Sequence, residues 1–320
     1  MKDPTKQASI ETPSPPTWEQ TLLEKVAMAS LIEQRKARRW SIFFKLILCA
    51  YLLVIGILYV PMPSFNDNFR DAHTALIDVS GVIAADSNSS AERVIAGLRA
   101  AFEHKHTAGV VVQINSPGGS PVQAGQIADE IHRLQANYPD IPLYSVITDI
   151  GASGGYYIAA AADTIYADKA SIIGSIGVVS HGFGFVELLK KLGIQRRMIV
   201  AGEHKALLDP FLPTDSREVR HFQGVLSEIH RQFIESVQLG RGALLSPEEE
   251  LFTGFVWSGE KSLSLGLVDA LGDANFVARE IIGAERIMDF TPAKSLVERI
   301  EQRIGVTLVN ALLRQSPQLQ

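Results

Sequence analysis

Hydrophobic and polar positions follow two different periods along the chain, and the two periods alternate. Short apolar runs predict strands over 74–79, 109–115, 143–147 and 195–200. Apolar or small residues at helical spacing predict helices over 93–104, 121–137, 154–162 and 216–240. Strands that alternate with helices predict an α/β fold with a mostly parallel sheet, and the β-branched run at 109–115 predicts a strand buried on both faces.

A long apolar segment, 42–60, precedes this alternating region. It has the length needed to cross a hydrocarbon core, and its one charge, Lys45, lies near its start. Pro61 follows it, whereas four basic residues crowd 35–39 on its other side. We therefore expect one transmembrane helix with a cytoplasmic N-terminus, rather than a core helix or a cleaved signal peptide.

The segment divides the chain into regions with different expected locations. A predicted cytoplasmic tail covers 1–41, with a helix from Trp18 to Ala37, and the transmembrane helix follows it. A linker then covers 61–73, an exported domain 74–290 and a C-terminal amphipathic segment 291–320. In a bacterium, this places a single-pass protein in the inner membrane with its main domain in the periplasm or outside the cell.

The composition of the chain excludes several classes of protein and of site. The 320 residues are 46% hydrophobic, which excludes a wholly disordered chain. Thirty basic against 35 acidic residues give a net charge of −5, which argues against nucleic acid as a partner. The single cysteine, Cys49, excludes an internal disulfide and any metal cluster built from cysteines.

Two glycine-rich motifs follow predicted strands. In Gly151-Ala-Ser-Gly-Gly155, Ser153 lies on a tight turn before a helix, which suits a nucleophile but also suits a close-packed helix start. In Asn115-Ser-Pro-Gly-Gly119, two glycines let backbone amides face a crevice and stabilise an oxyanion, although an ordinary turn has the same sequence. Parallel strands would bring both motifs to one edge of the sheet.

A nucleophilic serine needs a base. Lys205, in the segment 201–210, is one candidate, because burial beside Leu207 and Leu208 would favour its neutral amine. The alternatives are that Lys205 is a surface lysine, or that one of the eight histidines is the base.

Four motifs in order resemble the signal peptide peptidase A family of membrane-bound serine proteases, over roughly 74–272. They are Asn115-Ser-Pro-Gly-Gly119, Ala152-Ser-Gly-Gly-Tyr-Tyr157, Gly174-Ser-Ile-Gly-Val178 and Gly202-Glu-His-Lys-Ala206. The resemblance implies a Clp-protease or crotonase-like fold in its short, single-domain form. It also implies ring-shaped homo-oligomers, apolar peptide substrates such as remnant signal peptides, and no metal or organic cofactor.

The resemblance also assigns roles to residues. Ser153 would be the nucleophile and Lys205 the general base, and the two can come from different subunits. Gly119 and Gly154 would supply the oxyanion amides, and Ser175 would orient the lysine.

Three other functions stay open at this point. A Ser-His-Asp hydrolase could pair Ser153 with His221 or His230. A crotonase-type acyl-CoA enzyme would share the fold and the oxyanion glycines, although an outward-facing domain meets little CoA. The third alternative is a membrane scaffold without catalytic activity.

Overall fold

The computed structural model describes residues 18–59, 71–247 and 249–292. The chain divides into two compact units, 1–68 and 69–320. In the first, one helix, α1, runs from Trp18 to Tyr59, which confirms the helix predicted from Trp18 to Ala37. The predicted tail before residue 18, most of the linker and the C-terminal segment from 293 lie outside the described residues.

The transmembrane helix predicted over 42–60 is not confirmed. Among the described residues, no helix is both long and apolar enough to span a bilayer. Position 60 and the side chains at 54, 55 and 57–59 lie outside the described residues. In the part that is described, the apolar side chains from Ile42 to Leu53 are exposed.

The second unit is built around an eight-stranded mixed sheet. Its strands are β1 (His73–Ser80), β2 (Thr107–Ser116), β3 (Leu143–Ala152), β4 (Thr164–Ala167), β5 (Ile172–Gly174), β6 (Val256–Ser258), β7 (Ala270–Leu271) and β8 (Ile287–Asp289). The main path runs β6-β5-β3-β2-β1-β8, with β4 beside β3 and β7 beside β4. Every pairing is parallel except that of β5 with β6, so the predicted α/β class with a mostly parallel sheet is confirmed.

Helices cover both faces of the sheet, because parallel strands need crossover connections. They are α2 (Ala91–Glu103), α3 (Pro121–Asn137), α4 (Gly154–Ala159), α5 (Val186–Lys191), α6 (Ser216–Arg241), α7 (Gly259–Ser264) and α8 (Ala274–Phe276), which a π-helical turn continues over Val277–Ile282. The larger core cluster contains side chains of α2, α3, α4 and α6. Val111 and Val146 belong to the second cluster, with Val277 of the π-helical turn, so the central strands are buried on both faces.

One predicted strand is wrong. Residues 195–200 form no strand, and all six are exposed. The run has the composition of a strand, but no strand of the described chain lies beside it to complete its backbone hydrogen bonds.

A buried ion pair fixes the C-terminal end of α6 on the sheet unit. The guanidinium of Arg241 donates to both carboxylate oxygens of Asp269 at 2.8 Å, and also to the carbonyl of Gly266. The same carboxylate accepts the backbone N–H of Ile165 at the start of β4. One arginine side chain therefore joins α6 to the segment between α7 and β7 and, through Asp269, to β4.

Replacing Arg241 with methionine is expected to lower the free energy of unfolding by about 3 kcal/mol, because it leaves the Asp269 carboxylate without its charged partner. Urea unfolding of the full chain measures this loss. The matched control is Arg231→Met, on the same helix, whose pair with Glu235 is exposed and is worth about 0.5 kcal/mol or less. Equal losses in the two variants would contradict the prediction.

Candidate active site

Three motif loops meet where adjacent strands end. Ser116, the last residue of β2, pairs with Gly151 of β3, and Ala152 at the end of β3 pairs with Gly174 at the end of β5. The loops that follow these strands carry Gly119, Ser153 and Ser175. The strand order thus brings three of the four motifs to one edge, as the sequence predicts for the two glycine-rich loops.

Ser153 lies between β3 and α4 in a strained backbone conformation. Its φ is 52° and its ψ is −123°, a region that residues with a Cβ rarely occupy. Its backbone N–H donates to the carbonyl of Gly174 (2.8 Å), and its own carbonyl accepts from Tyr157. The turn is therefore held at both sides, and its half-exposed side chain lines a cleft. Strain of this kind is typical of a nucleophile presented on a sharp turn between a strand and a helix.

The glycine loop after β2 passes directly against this serine. A Cβ on Gly118 would lie 2.6 Å from the Ser153 Cβ and 2.8 Å from the Gly154 nitrogen, so only glycine fits there. Gly119 has a φ of 154°, and a Cβ there would collide with the carbonyl of Ile83. Close backbone approach, rather than turn formation alone, explains both glycines.

Two backbone amides come together beside Ser153. A Cβ built on Gly154 would lie 3.3 Å from the Gly119 nitrogen. Gly154 is the first residue of α4, where a helix leaves its N–H groups without intrahelical acceptors. Within the described residues, neither amide is the donor of a backbone–backbone hydrogen bond outside the helices and strands. Two backbone N–H groups thus lie close to each other beside Ser153, an arrangement that oxyanion-binding sites use.

Ser175 follows β5 as Ser153 follows β3. It has the same φ, 52°, and its backbone N–H donates to the carbonyl of Phe255 at 2.7 Å. Both serines line the same cleft. The structure therefore brings together four of the five predicted site residues: Ser153, Gly154, Gly119 and Ser175.

The cleft has a volume of about 710 Å³, and polar and apolar surface line it in similar amounts. Among the described residues, no Asp, Glu, Lys or Arg lines it, and the titratable side chains that do are Tyr157 and His230. The Tyr157 ring stacks on that of Phe233 from α6, with centroids 4.8 Å apart. Thr253 and Gly254 also line the cleft, and no sequence motif marks them.

Lys205 is the predicted site residue that the chain does not bring to this cleft. It does not line the cleft, and it is exposed on a turn before α6. The turn is held by contacts on both sides: Glu218 of α6 with His204 at 3.0 Å, and Arg196 with Asp209 at 2.9 Å. The Phe211 N–H and the Arg196 guanidinium lower the pKa of Asp209.

The two histidines of the alternative triad lie in different places. His221 lies beside Glu218 and His204, away from the Ser153 cleft. His230 lines the cleft, but its Nε2 lies 3.2 Å from the carbonyl of Ile176, and in the described residues it has no hydrogen bond to a carboxylate. The described residues also contain no group of three or more His, Cys, Asp or Glu side chains that could hold a metal ion.

Comparison with known proteins shows the family of this chain. The model of peptidase family S49 matches residues 135–284. A putative protease of Synechocystis, slr0021, is 32% identical over 198 residues, which are 62% of this chain and 69% of that protein. The chain belongs to peptidase family S49. The S49 match includes Ser153, Ser175 and Lys205, whereas the loop that carries Gly119 lies before it.

Two other similar proteins carry different names. A putative signal peptide peptidase SppA of Enterococcus faecium is 29% identical, over 67% of this chain and 64% of its own length. A Brucella melitensis protein named Na(+)/H(+) antiporter NhaA is 42% identical over 65% of this chain. The chain covers 28% of the length of that Brucella protein, so the match concerns a part of it.

Proposed function

We propose that this chain is a serine endopeptidase in which Ser153 is the nucleophile and Lys205 the general base. The observation that carries the proposal is the position of Ser153: strained, at a sheet edge, in a cleft, and beside the amides of Gly119 and Gly154. Membership of peptidase family S49 supports the same reaction. The proposed fold relationship is to Clp-protease and crotonase-like proteins.

The proposed reaction has two steps. Ser153 Oγ attacks the peptide carbonyl while the neutral Lys205 amine accepts its proton, and the oxyanion lies between the N–H groups of Gly119 and Gly154. The C–N bond then breaks, and the lysine ammonium gives the proton to the leaving amine. Lys205 next takes a proton from water, whose oxygen attacks the acyl carbon. The bond to Ser153 Oγ then breaks, and the lysine ammonium returns the proton to that oxygen, which restores both groups. Ser175 is proposed to orient the amine.

A second copy of the chain is the proposed source of the lysine. Lys205 is exposed and lies outside the Ser153 cleft of its own chain. The region before it exposes several apolar side chains, among them Val179 (80%), Phe183 (79%) and Ile199 (101%). Apolar surface of this extent is typical of a protein interface. We therefore propose a homo-oligomeric ring in which neighbours complete each other's sites.

Apolar peptides are the proposed substrates. A cleft without acidic or basic lining side chains, other than His230, favours uncharged segments. The name of the Enterococcus relative suggests remnant signal peptides as one source. The exposed apolar surface of α1 from Ile42 to Leu53, next to basic residues at 35–39, supports attachment to the inner membrane with the protease domain outside the cytoplasm.

The test of the activity uses the full chain in detergent micelles. We expect it to cleave a quenched fluorescent peptide with an apolar core faster than a matched peptide with lysines there. A fluorophosphonate probe should block this turnover and label Ser153, as read by mass spectrometry. Labelling of another residue, or no turnover of either peptide, would favour a hydrolase with a different centre or a scaffold.

A separate experiment tests the location. After alkaline carbonate washing of membranes, the chain should stay in the pellet, and protease added outside spheroplasts should degrade its main domain. Release by carbonate would contradict membrane anchoring without affecting the peptidase proposal.

A further inference from the structure

We infer that His230 is a positioning residue, which holds the loop after β5 so that Ser175 and Ser153 keep their places in the cleft. This inference rests on the proposed function. It assigns a role other than that of a base to the histidine that lines the cleft with Ser153 and Ser175.

The first observation is a single contact. His230 Nε2 lies 3.2 Å from the carbonyl oxygen of Ile176, a residue that is fully buried. A carbonyl oxygen can only accept, so Nε2 must carry the proton and donate it. Ile176 directly follows Ser175 in the chain.

The second observation is how the rest of this loop is held. The carbonyl of Gly174 accepts the N–H of Ser153, and the N–H of Ser175 donates to a carbonyl before β6. These contacts fix the loop between the β3 turn and the segment before β6. In the described residues, the hydrogen bond from the His230 side chain joins Ile176, the next residue of the loop, to α6. The positive φ of Ser175 makes such support necessary, because it costs conformational energy that neighbouring contacts must offset.

The third observation concerns the alternative role, that of a base. A histidine base presents an unprotonated ring nitrogen to the serine hydroxyl and uses its other N–H for an orienting acceptor, usually a carboxylate. The Nε2–H of His230 is donated to a main-chain carbonyl, and among the described residues no carboxylate lines the cleft. His230 therefore lacks the carboxylate partner of a catalytic triad, and the variant His230→Gln, which keeps a donor but is not a base, separates tethering from proton transfer.

Kinetics of paired variants test the role. His230→Leu removes the donor and is expected to lower kcat about tenfold with KM changed less than about twofold. The reason is that the positions of Ser153 and Ser175 affect the transition state more than they affect substrate binding. His230→Gln places an amide N–H at similar reach and should stay within about threefold of wild type. The matched controls are His132→Leu and His132→Gln, at a half-buried histidine of α3 outside the cleft, which should be unchanged. Equal losses in the two His230 variants, or no loss in either, would overturn the inference.

A second measurement does not depend on activity. In the full chain labelled with ¹⁵N-histidine, long-range ¹⁵N–¹H correlations should show His230 as the Nε2–H tautomer at neutral pH, its signals being assigned by their loss in His230→Gln. The Nδ1–H tautomer would overturn the inference. If Ser153 proves dispensable for hydrolysis, the proposed peptidase mechanism fails, and the tautomer still decides whether the tether exists.

Discussion

Ser153→Ala is expected to lower kcat for peptide hydrolysis by about 10⁴-fold or more, because it removes the attacking oxygen. The side chain makes no hydrogen bond within the described part of the chain, so its removal should leave the fold unchanged. Binding should survive as well, since Gly119, Gly154 and the apolar walls remain. Steady-state kinetics with the quenched peptide and a thermal melt of the same sample measure both expectations.

The control for this variant is Ser264→Ala, at an exposed serine of α7 whose hydroxyl bonds only to its own helix. It should keep wild-type activity. Turnover by Ser153→Ala within tenfold of wild type would remove Ser153 from the mechanism. Ser175 would then be the next candidate nucleophile, because it shares the cleft and the same backbone conformation.

Lys205→Met is expected to lower kcat by about 10³-fold or more, even though Lys205 lies outside the cleft of its own chain. Methionine keeps most of the length and apolar stem of lysine but cannot accept a proton. Loss of activity without loss of assembly, measured by size-exclusion chromatography, is the expected result. Lys169→Met, at an exposed lysine between β4 and β5, is the control and should stay active.

Mixing the two inactive variants shows where the lysine comes from. If each site takes Ser153 from one chain and Lys205 from its neighbour, an equal mixture of Ser153→Ala and Lys205→Met chains that has been dissociated and reassembled should regain about a quarter of wild-type activity. A mixture that stays inactive would place both groups in one chain and would require the Lys205 turn to move to the cleft. Full activity in Lys205→Met alone would leave the base unassigned.

The sequence predicts long elements better than short ones. The bounds of α3 agree residue for residue with the predicted helix over 121–137, because Pro121 and the apolar spacing that follows it define both its start and its face. α6 agrees within a residue for the same reason. By contrast, β5 to β8 have two or three residues each, which is too few for any periodicity to show.

Site residues can be predicted where local backbone geometry restricts the residue type. They cannot be predicted where contacts between distant segments determine the site. Gly118 and Ser153 could be recognised because close backbone approach and a strained turn allow few residue types. The wall formed by Thr253 and Gly254 carries no such signal. The wrong strand at 195–200 and Lys205 both lie on an exposed stretch of the described chain, and local sequence alone predicts neither a strand pairing nor a contact with Ser153.

The backbone of Ser153 has a consequence for the robustness of the molecule. Because glycine tolerates positive φ and alanine does not, two variants that are equally inert chemically should differ in heat resistance, with Ser153→Gly melting above Ser153→Ala. A nucleophile in this position is a local weakness that the surrounding fold supports. Selection for thermal stability alone would therefore favour glycine at position 153, which would remove the proposed nucleophile.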